Sequence, residues 1–175
     1  MRQLAPFTLF TVLIIFFAIG LTKNPRLIPS PLIGKPLPLH QLVELQTPSN
    51  VIHTNNLKGE NFVLNVWASW CGACLEEHST LMNLADSQDV LIVGLNYKDN
   101  RSEAKHWLGE NGNPYSQIWF DPAGEFGMEL GVYGVPETFF VNQDGIIAYK
   151  HVGPLNRTVI ASALALLDTS ENAPL

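Results

Sequence analysis

The two cysteines of the chain, Cys71 and Cys74, lie three residues apart in the stretch NVWASWCGACLEEH. Residues at this spacing in the first turn of a helix have neighbouring side chains, close to the separation that a disulfide bond requires. The pair can therefore open and close with little movement of the backbone. Reversible thiol–disulfide chemistry is the first function that this spacing predicts.

Two other uses of such a pair compete with the redox interpretation. A structural staple is disfavoured because closing so short a loop removes little entropy from the unfolded chain. A metal site is disfavoured because His78, four residues after Cys74, would bring the set to three ligands at most. We therefore predict no metal ligand and no cofactor other than the Cys71–Cys74 disulfide itself.

The residues around the cysteines predict a strand–helix–strand unit. Apolar runs cover residues 61–70 and 89–97, and residues 74–87 between them carry apolar side chains at helical spacing. Continuous apolar runs are typical of strands that are buried on both faces. Cys71 then lies where the strand gives way to the helix, and unpaired N–H groups at the start of a helix stabilise a thiolate. Cys74, one turn further on, is expected to be more buried and to resolve a mixed disulfide formed at Cys71.

The second half of the chain adds further elements to this unit. We expect a helix over 102–111, a short strand at 117–121, a hairpin of strands 138–141 and 146–151, and a final amphipathic helix from about Asn156. The Asp144-Gly145 pair between the two hairpin strands is a strong turn signal, because glycine accepts a positive φ. This order predicts an α/β fold, with a central mixed β-sheet flanked by helices on both faces.

The amino-terminal part of the chain has a different composition. Residues 4–21 form an uncharged run of eighteen residues, which as a helix would be roughly 27 Å long, close to the ~30 Å hydrocarbon core of a bilayer. We predict one N-terminal transmembrane helix within an anchor of residues 1–22, with a cleaved signal peptide as the competing interpretation. The proline-rich residues 23–38 predict a linker, and residues 39–175 a single folded domain.

The charge balance excludes one class of partner. Ten Lys and Arg residues stand against sixteen Asp and Glu residues, for a net charge of -6. Such a chain has no basic stripe with which to neutralise phosphates, so we predict no binding to nucleic acid.

Several motifs together are specific enough to indicate a family. FVLNVWASWCGAC and GVPETFFVNQDG, with IGKPLP, GLNYKD and GNPY, resemble the thioredoxin superfamily. More narrowly, they resemble the membrane-anchored thiol:disulfide interchange proteins of cytochrome c biogenesis, the CcmG/DsbE group. The resemblance implies a thioredoxin-like fold in the periplasm, anchored to the bacterial inner membrane by a single pass through residues 4–21. It also implies an enzyme that takes electrons from a membrane thiol donor and reduces cysteine disulfides of apocytochrome c before haem attachment, with apocytochrome c or its haem-ligation machinery as partner.

The same resemblance assigns roles to residues outside the cysteine pair. Pro136 matches the cis-proline that faces the cysteines in thioredoxin-like proteins, which leaves the backbone of Val135 free to pair with an extended substrate. Trp70, directly before Cys71, is expected to cover the sulfur and to contact the substrate.

Two acidic residues also match the family pattern. Asn65 stands where thioredoxin has a buried aspartate, whereas Glu77 and Glu137 match acidic residues that the group places near its cysteines. Nearby carboxylates should raise the pKa values of the thiols, which favours the disulfide and biases the pair towards donating electrons. Either carboxylate could also exchange a proton with Cys74. Gly72-Ala73 replaces the Gly-Pro found between the cysteines of thioredoxin, so the potential of the family is not carried over.

Two further functions stay open from the sequence. One is a disulfide reductase or oxidase of broader range that acts on other exported proteins. The other is a metal carrier in which Cys71, Cys74 and a histidine hold copper or zinc.

Overall fold

The structure is a computed structural model that describes residues 4–21, 30–87 and 90–170. Its elements follow the order α1 (Leu4–Leu21), β1 (Gln41–Glu44), β2 (Val51–His53), a short 3-10 helix (Thr54–Leu57), β3 (Phe62–Trp67), α2 (Gly72–Ser87), β4 (Leu91–Tyr97), α3 (Arg101–Asn111), β5 (Gln117–Asp121), α4 (Glu125–Glu129), β6 (Glu137–Val141), β7 (Ile147–Val152) and α5 (Arg157–Ser170).

The strands form one mixed sheet in the order β2-β1-β5-β4-β3-β6-β7. The central pairs β3–β4 and β4–β5 are parallel, and the remaining neighbours are antiparallel. All six residues of β3 are buried, as the continuous apolar run predicts for a strand covered on both faces. The predicted α/β fold with a central mixed sheet is confirmed.

The two faces of the sheet are covered differently. Val63 and Trp67 of β3 join a core with residues of α2, α3 and α5, and we call this side the helical face. Leu64 and Val66 point to the other side, where they meet α4 and the segment around Leu37. We call this side the opposite face. The crossovers β3–α2–β4 and β4–α3–β5 run in the same direction across the sheet, so right-handed connections place both helices on one side.

Helices flank both faces of the sheet, as predicted, but they are distributed unequally. Three long helices share the helical face, where they bury residues such as Leu81, Ala104 and Ile160. Burial of a leucine side chain contributes roughly 1.5–3 kcal/mol. The five-residue α4, together with irregular chain, covers the opposite face.

The start of the domain also differs from the prediction. Gly34 N–H donates to Ile147 O at 2.8 Å, and Leu37 N–H donates to Gly145 O at 2.8 Å. The side chain of Leu37 is buried in the core of the opposite face. The folded domain therefore begins before residue 39, and the predicted linker 23–38 extends too far; its residues 23–29 lie outside the described residues.

The hairpin of β1 and β2 was not predicted. Leu42 and Ile52 pair across it and point into the core of the opposite face. Its strands are only four and three residues long, which is too short for a clear alternating pattern.

The amino-terminal helix α1 has exposed side chains throughout residues 7–21. Within the described ranges, no helix meets the combined length and apolarity by which a membrane-crossing helix is identified.

Candidate active site

The two cysteines lie at the carboxyl end of β3, where α2 begins. They form a disulfide with a Cα–Cα distance of 5.3 Å, so the pairing expected from the Cys-x-x-Cys spacing is confirmed. Cys71 directly precedes Gly72, the first residue of α2, and Cys74 N–H donates to Cys71 Sγ at 3.0 Å. When the bond is reduced, this N–H group and the positive end of the helix stabilise a thiolate on Cys71.

The neighbours of the disulfide differ strongly in their exposure. Cys71 is 5% exposed and Cys74 is 2% exposed, whereas the side chain of Trp70 is 59% exposed. The Val135–Pro136 peptide bond is cis, as the family resemblance predicted. Pro136 is buried and Val135 is half-buried.

An aspartate that sequence reasoning missed holds the segment before Cys71. Asp99 accepts hydrogen bonds from the Ser69 N–H at 2.6 Å and from the Ser69 hydroxyl at 2.7 Å. Asn96 Nδ2 donates to the same carboxylate at 2.9 Å. The available signal was position, because Asp99 follows β4 and the carboxyl ends of adjacent parallel strands meet at one edge of the sheet.

The loop after β4 also fixes Trp70. The indole N–H of Trp70 donates to Lys98 O at 2.9 Å, while Lys98 N–H donates to Asp121 O at 2.9 Å. Lys98 adopts a left-handed backbone conformation with φ of 48°, which is uncommon for a residue other than glycine. Trp70 is therefore exposed but held in place.

An open groove starts at Trp70 and follows α3. Trp70 and the half-buried Trp107 line it, and its rim carries the exposed side chains of Glu103, His106 and Glu110. His106 Nε2 lies 3.3 Å from Glu110 Oε1. The groove offers a polypeptide two aromatic surfaces and an acidic rim next to the disulfide.

Glu77 is the centre of a buried hydrogen-bond network on the helical face. Its Oε1 accepts from Asn65 Nδ2 at 2.8 Å, and its Oε2 accepts from Leu155 N–H at 2.7 Å. Asn65 Nδ2 also donates to Thr138 Oγ1 at 3.0 Å, and Asn65 Oδ1 accepts from the hydroxyl of Tyr115 at 2.9 Å. The network thus ties α2 to β3, to β6 and to the segments before β5 and α5.

Burial changes the acid–base properties of this network. Desolvation outweighs the hydrogen bonds from Leu155 and Asn65, and it raises the pKa of Glu77 to about 7. The pKa of Tyr115 is raised as well, first by desolvation and then by the charge of Glu77. Glu77 is three residues after Cys74 on α2, and both side chains are buried. A carboxyl group that can gain or lose a proton near neutral pH therefore lies one helical turn from the second cysteine.

Glu137 lies on the other side of the sheet from the cysteines. It pairs with Val66 across β6 and β3, and directly opposed residues point to the same face. Val66 belongs to the core of the opposite face, whereas Cys71 and Cys74 belong to that of the helical face. The structure therefore does not bring Glu137 together with Glu77, and the effect of Glu137 on the thiols stays a prediction.

His78, the histidine of the metal alternative, is occupied by protein contacts. Its Nε2 lies 3.1 Å from Asn111 O, and its ring packs edge-on against Trp107 with centroids 4.6 Å apart. Burial lowers the pKa of His78. Its contacts place it in the packing between α2 and α3.

Comparisons with known proteins agree with this site. Residues 32–167 match the Redoxin family. The thiol:disulfide interchange protein DsbE of Yersinia pestis is 45% identical over 160 residues, which cover 88% of this chain and 85% of the relative. DsbE of Escherichia coli (strain K12) is 45% identical over 159 residues, which cover 84% and 85%. A solved secreted thiol-disulfide isomerase from Corynebacterium glutamicum has the same fold, with a TM-score of 0.66, 22% identity and coverage of 75% of this chain and 85% of that one.

The matched region contains the disulfide, the buried Glu77 and the cis-proline, and it spans nearly all of the folded domain. The chain belongs to the redoxin family of thioredoxin-like proteins and, within it, to the DsbE group, as a thiol:disulfide oxidoreductase with a Cys71–Cys74 disulfide.

Proposed function

We propose that this oxidoreductase reduces cysteine disulfides of apocytochrome c before haem attachment. The observation that carries the direction of electron flow is the burial of Glu77 one helical turn from Cys74. A carboxylate in a desolvated site opposes a second negative charge nearby, so it disfavours the thiolate of the reduced pair. A pair whose reduced form is disfavoured in this way transfers its electrons to other disulfides.

The reaction proceeds through two exchanges. The Cys71 thiolate attacks one sulfur of the substrate disulfide, and the other substrate sulfur leaves and takes up a proton. Cys74 then loses its proton and attacks the Cys71 sulfur of the mixed disulfide. The second substrate thiol is released, the Cys71–Cys74 disulfide forms, and two electrons have passed to the substrate. A membrane thiol donor reverses these exchanges and restores the dithiol.

Glu77 is suited to accept the proton that Cys74 loses. Its pKa of about 7 means that both protonation states are accessible near neutral pH. Hydrogen bonds from the N–H of Leu155 and the amide of Asn65 stabilise the carboxylate when it is charged.

The substrate is expected to dock beside the disulfide in an extended conformation. The backbone of Val135, next to the cis bond, can add a strand-like contact, and the exposed indole of Trp70 supplies apolar contact. The groove between Trp70 and Trp107 would then receive the chain on one side of the reacting cysteine.

Attachment to the bacterial inner membrane, with the domain in the periplasm, is part of the proposal. The support is helix α1, whose residues 7–21 expose their side chains, many of them large and apolar. Attachment to a membrane would raise the effective concentration of the domain for partners held there.

One observation favours a second candidate, an oxidase of other exported proteins. The N–H of Cys74 and the start of α2 both stabilise a Cys71 thiolate, and a stabilised reduced form makes a pair more oxidising. The balance between this effect and that of Glu77 decides the direction.

A peptide reaction tests the proposed function. The reduced protein is mixed with an oxidised peptide that carries Cys-x-x-Cys-His, the haem-attachment motif, and with a matched peptide whose cysteines are further apart. We expect full reduction of the first peptide and a higher second-order rate than for the second. Equal rates would favour the broader-range enzyme, and transfer of electrons from reduced peptide to the protein would favour the oxidase.

A further inference from the structure

A buried ion pair lies on the opposite face of the sheet, beneath the segment that leads to the cis-proline. Lys150 Nζ is 2.7 Å from Glu137 Oε2, and the two side chains are 5% and 0% exposed. The contact joins two opposite charges and is an ion pair. It neutralises the charge of Glu137 within the protein.

Both partners are bonded to one loop, residues 131–136. Glu137 Oε1 accepts from the backbone N–H groups of Tyr133 at 3.2 Å and Gly134 at 3.3 Å. Lys150 Nζ donates to Gly131 O at 2.9 Å, and it lies 5.3 Å from the ring centroid of Tyr133. The ion pair therefore contacts the backbone of the loop at three positions, Gly131, Tyr133 and Gly134.

Backbone hydrogen bonds anchor the two ends of the loop, and at its second end Gly153 N–H donates to Pro136 O at 2.9 Å. Gly131 N–H and Val132 N–H donate to the backbone of α4 at 3.0 and 2.8 Å. The next backbone N–H groups, those of Tyr133 and Gly134, are held by Glu137. Glycine at two of the six positions makes the unbound loop flexible.

A pair of charges is an expensive way to fill this space. Burial removes both charges from water at a large cost, and replacement of such a pair by apolar residues of similar volume is often neutral or stabilising. Stability alone thus gives no reason for the pair. Its contacts with the loop give one, because a charged acceptor binds backbone N–H groups more strongly than a neutral one.

We propose that Lys150 is a positioning residue, which acts through Glu137 to hold the 131–136 loop in the conformation that receives a polypeptide substrate. The loop carries Tyr133, 71% exposed, and the backbone of Val135. This inference rests on the proposed docking of substrate at Val135, and not on the identity of that substrate as apocytochrome c. It assigns Glu137 to the loop and not to the titration of the cysteines.

The test uses the full chain with the variants Lys150→Met and Lys150→Arg. The double variant Glu137→Gln/Lys150→Met is included in case Lys150→Met fails to fold, because it leaves no unpaired buried charge. Lys58→Met is the control. Lys58 is an exposed lysine that lies outside the β-sheet, near Gly145. The first measurements are amide hydrogen exchange at Tyr133 and Gly134, and KM and kcat for an oxidised polypeptide. The rate with hydroxyethyl disulfide and the reduction potential are measured as well.

We expect Lys150→Met and the double variant to speed exchange at Tyr133 and Gly134 by about tenfold or more, and to raise KM for the polypeptide several-fold. The reduction potential and the rate with hydroxyethyl disulfide should match those of Lys58→Met. The KM of Lys150→Arg for the polypeptide should be close to that of the wild type. Unchanged exchange at both amides would overturn the proposal. The proposal would also be overturned if the reduction potential shifted and the rates with the polypeptide and with hydroxyethyl disulfide fell equally. Glu137 would then act on the cysteines through its charge.

Failure of the proposed function is separable from failure of this inference. If the wild-type protein does not reduce the haem-motif peptide, the cytochrome assignment fails. The exchange rates at Tyr133 and Gly134, and the KM for any other oxidised polypeptide, still decide the role of Lys150.

Discussion

Asn65 donates a hydrogen bond from Nδ2 to Oε1 of Glu77 over 2.8 Å, and both side chains are fully buried. The amide orients the carboxyl group while adding no charge to the site. Glu77 is the titratable group that α2 contributes to this hydrogen-bond network. Its protonation affects both the stability of the domain and the proposed proton transfer from Cys74.

Glu77→Gln should change how stability depends on pH. The pKa of Glu77 is about 7 in the folded protein against 4.5 as its ordinary value, so between these pH values the folded state holds a proton that the unfolded state has lost. This contribution to stability is fully present below pH 4.5 and is lost as the pH rises to about 7, a change of about 3 kcal/mol. The free energy of unfolding of Glu77→Gln, relative to that of the wild type, should therefore rise by this amount from pH 4 to pH 8. Urea unfolding measures it.

Glu76→Gln is the matched control for this measurement, because Glu76 is the exposed neighbour of Glu77 on the same helix. Comparing the two variants also cancels His78, whose lowered pKa makes stability rise with pH. Parallel stability curves for Glu76→Gln and Glu77→Gln would contradict the assignment of a raised pKa to Glu77.

Asn65→Asp should place a second carboxyl group against Glu77. Two carboxylates at hydrogen-bonding distance cannot both ionise readily, so the pair would retain a proton to higher pH. We expect a loss of at least about 2 kcal/mol of stability at pH 8, with a smaller loss at pH 5, where one proton remains on the pair. Equal destabilisation at the two pH values would mean that packing, and not charge, sets the cost.

Tyr115→Phe removes the hydroxyl that donates to Asn65 Oδ1 over 2.9 Å. The buried amide oxygen would then lack this donor, which costs about 1–3 kcal/mol. Denaturant unfolding measures this loss. The variant should also leave Asn65 freer to rotate, and a thermal stability equal to wild type would show that the hydroxyl carries no weight in the network.

Much of the fold was predictable because buried parallel strands leave a plain signal. The runs that became β3 and β4, and the Asp144-Gly145 turn, where Gly145 has a φ of 78°, were located from composition and periodicity. The placement of the long helices on one face was not, because it depends on β5 adding beyond β4, a pairing that no local pattern encodes.

The candidate site was predictable only in part, for a similar reason. The spacing of Cys71 and Cys74 identified the disulfide, but every residue of β6 is buried, so the strand shows no alternation from which the face of Glu137 could be assigned. Its partner Lys150 is thirteen residues away in β7, and the pairing of Glu77 with Asn65 joins different elements. Such contacts exist only once the sheet has formed.

Asp99→Ala should weaken the reaction without breaking the redox pair. Its carboxylate binds both the N–H and the hydroxyl of Ser69, so its removal frees the segment that carries Trp70. We expect a fall of about tenfold in the rate with polypeptide disulfides and a change in Trp fluorescence. The control is Asp86→Ala, because Asp86 is an exposed aspartate on α2. Equal rates for Asp99→Ala and Asp86→Ala would show that Asp99 does not position Trp70 for the reaction.

The equilibrium reduction potential of the Cys71–Cys74 pair shows whether the pair donates or accepts electrons. The full chain is equilibrated with glutathione and dithiothreitol buffers and followed by Trp fluorescence. We predict a value well below the ~-180 mV of a disulfide isomerase. A value near the ~-120 mV of a strong oxidant would show that the pair accepts electrons from its partners, which is the opposite of the proposed direction.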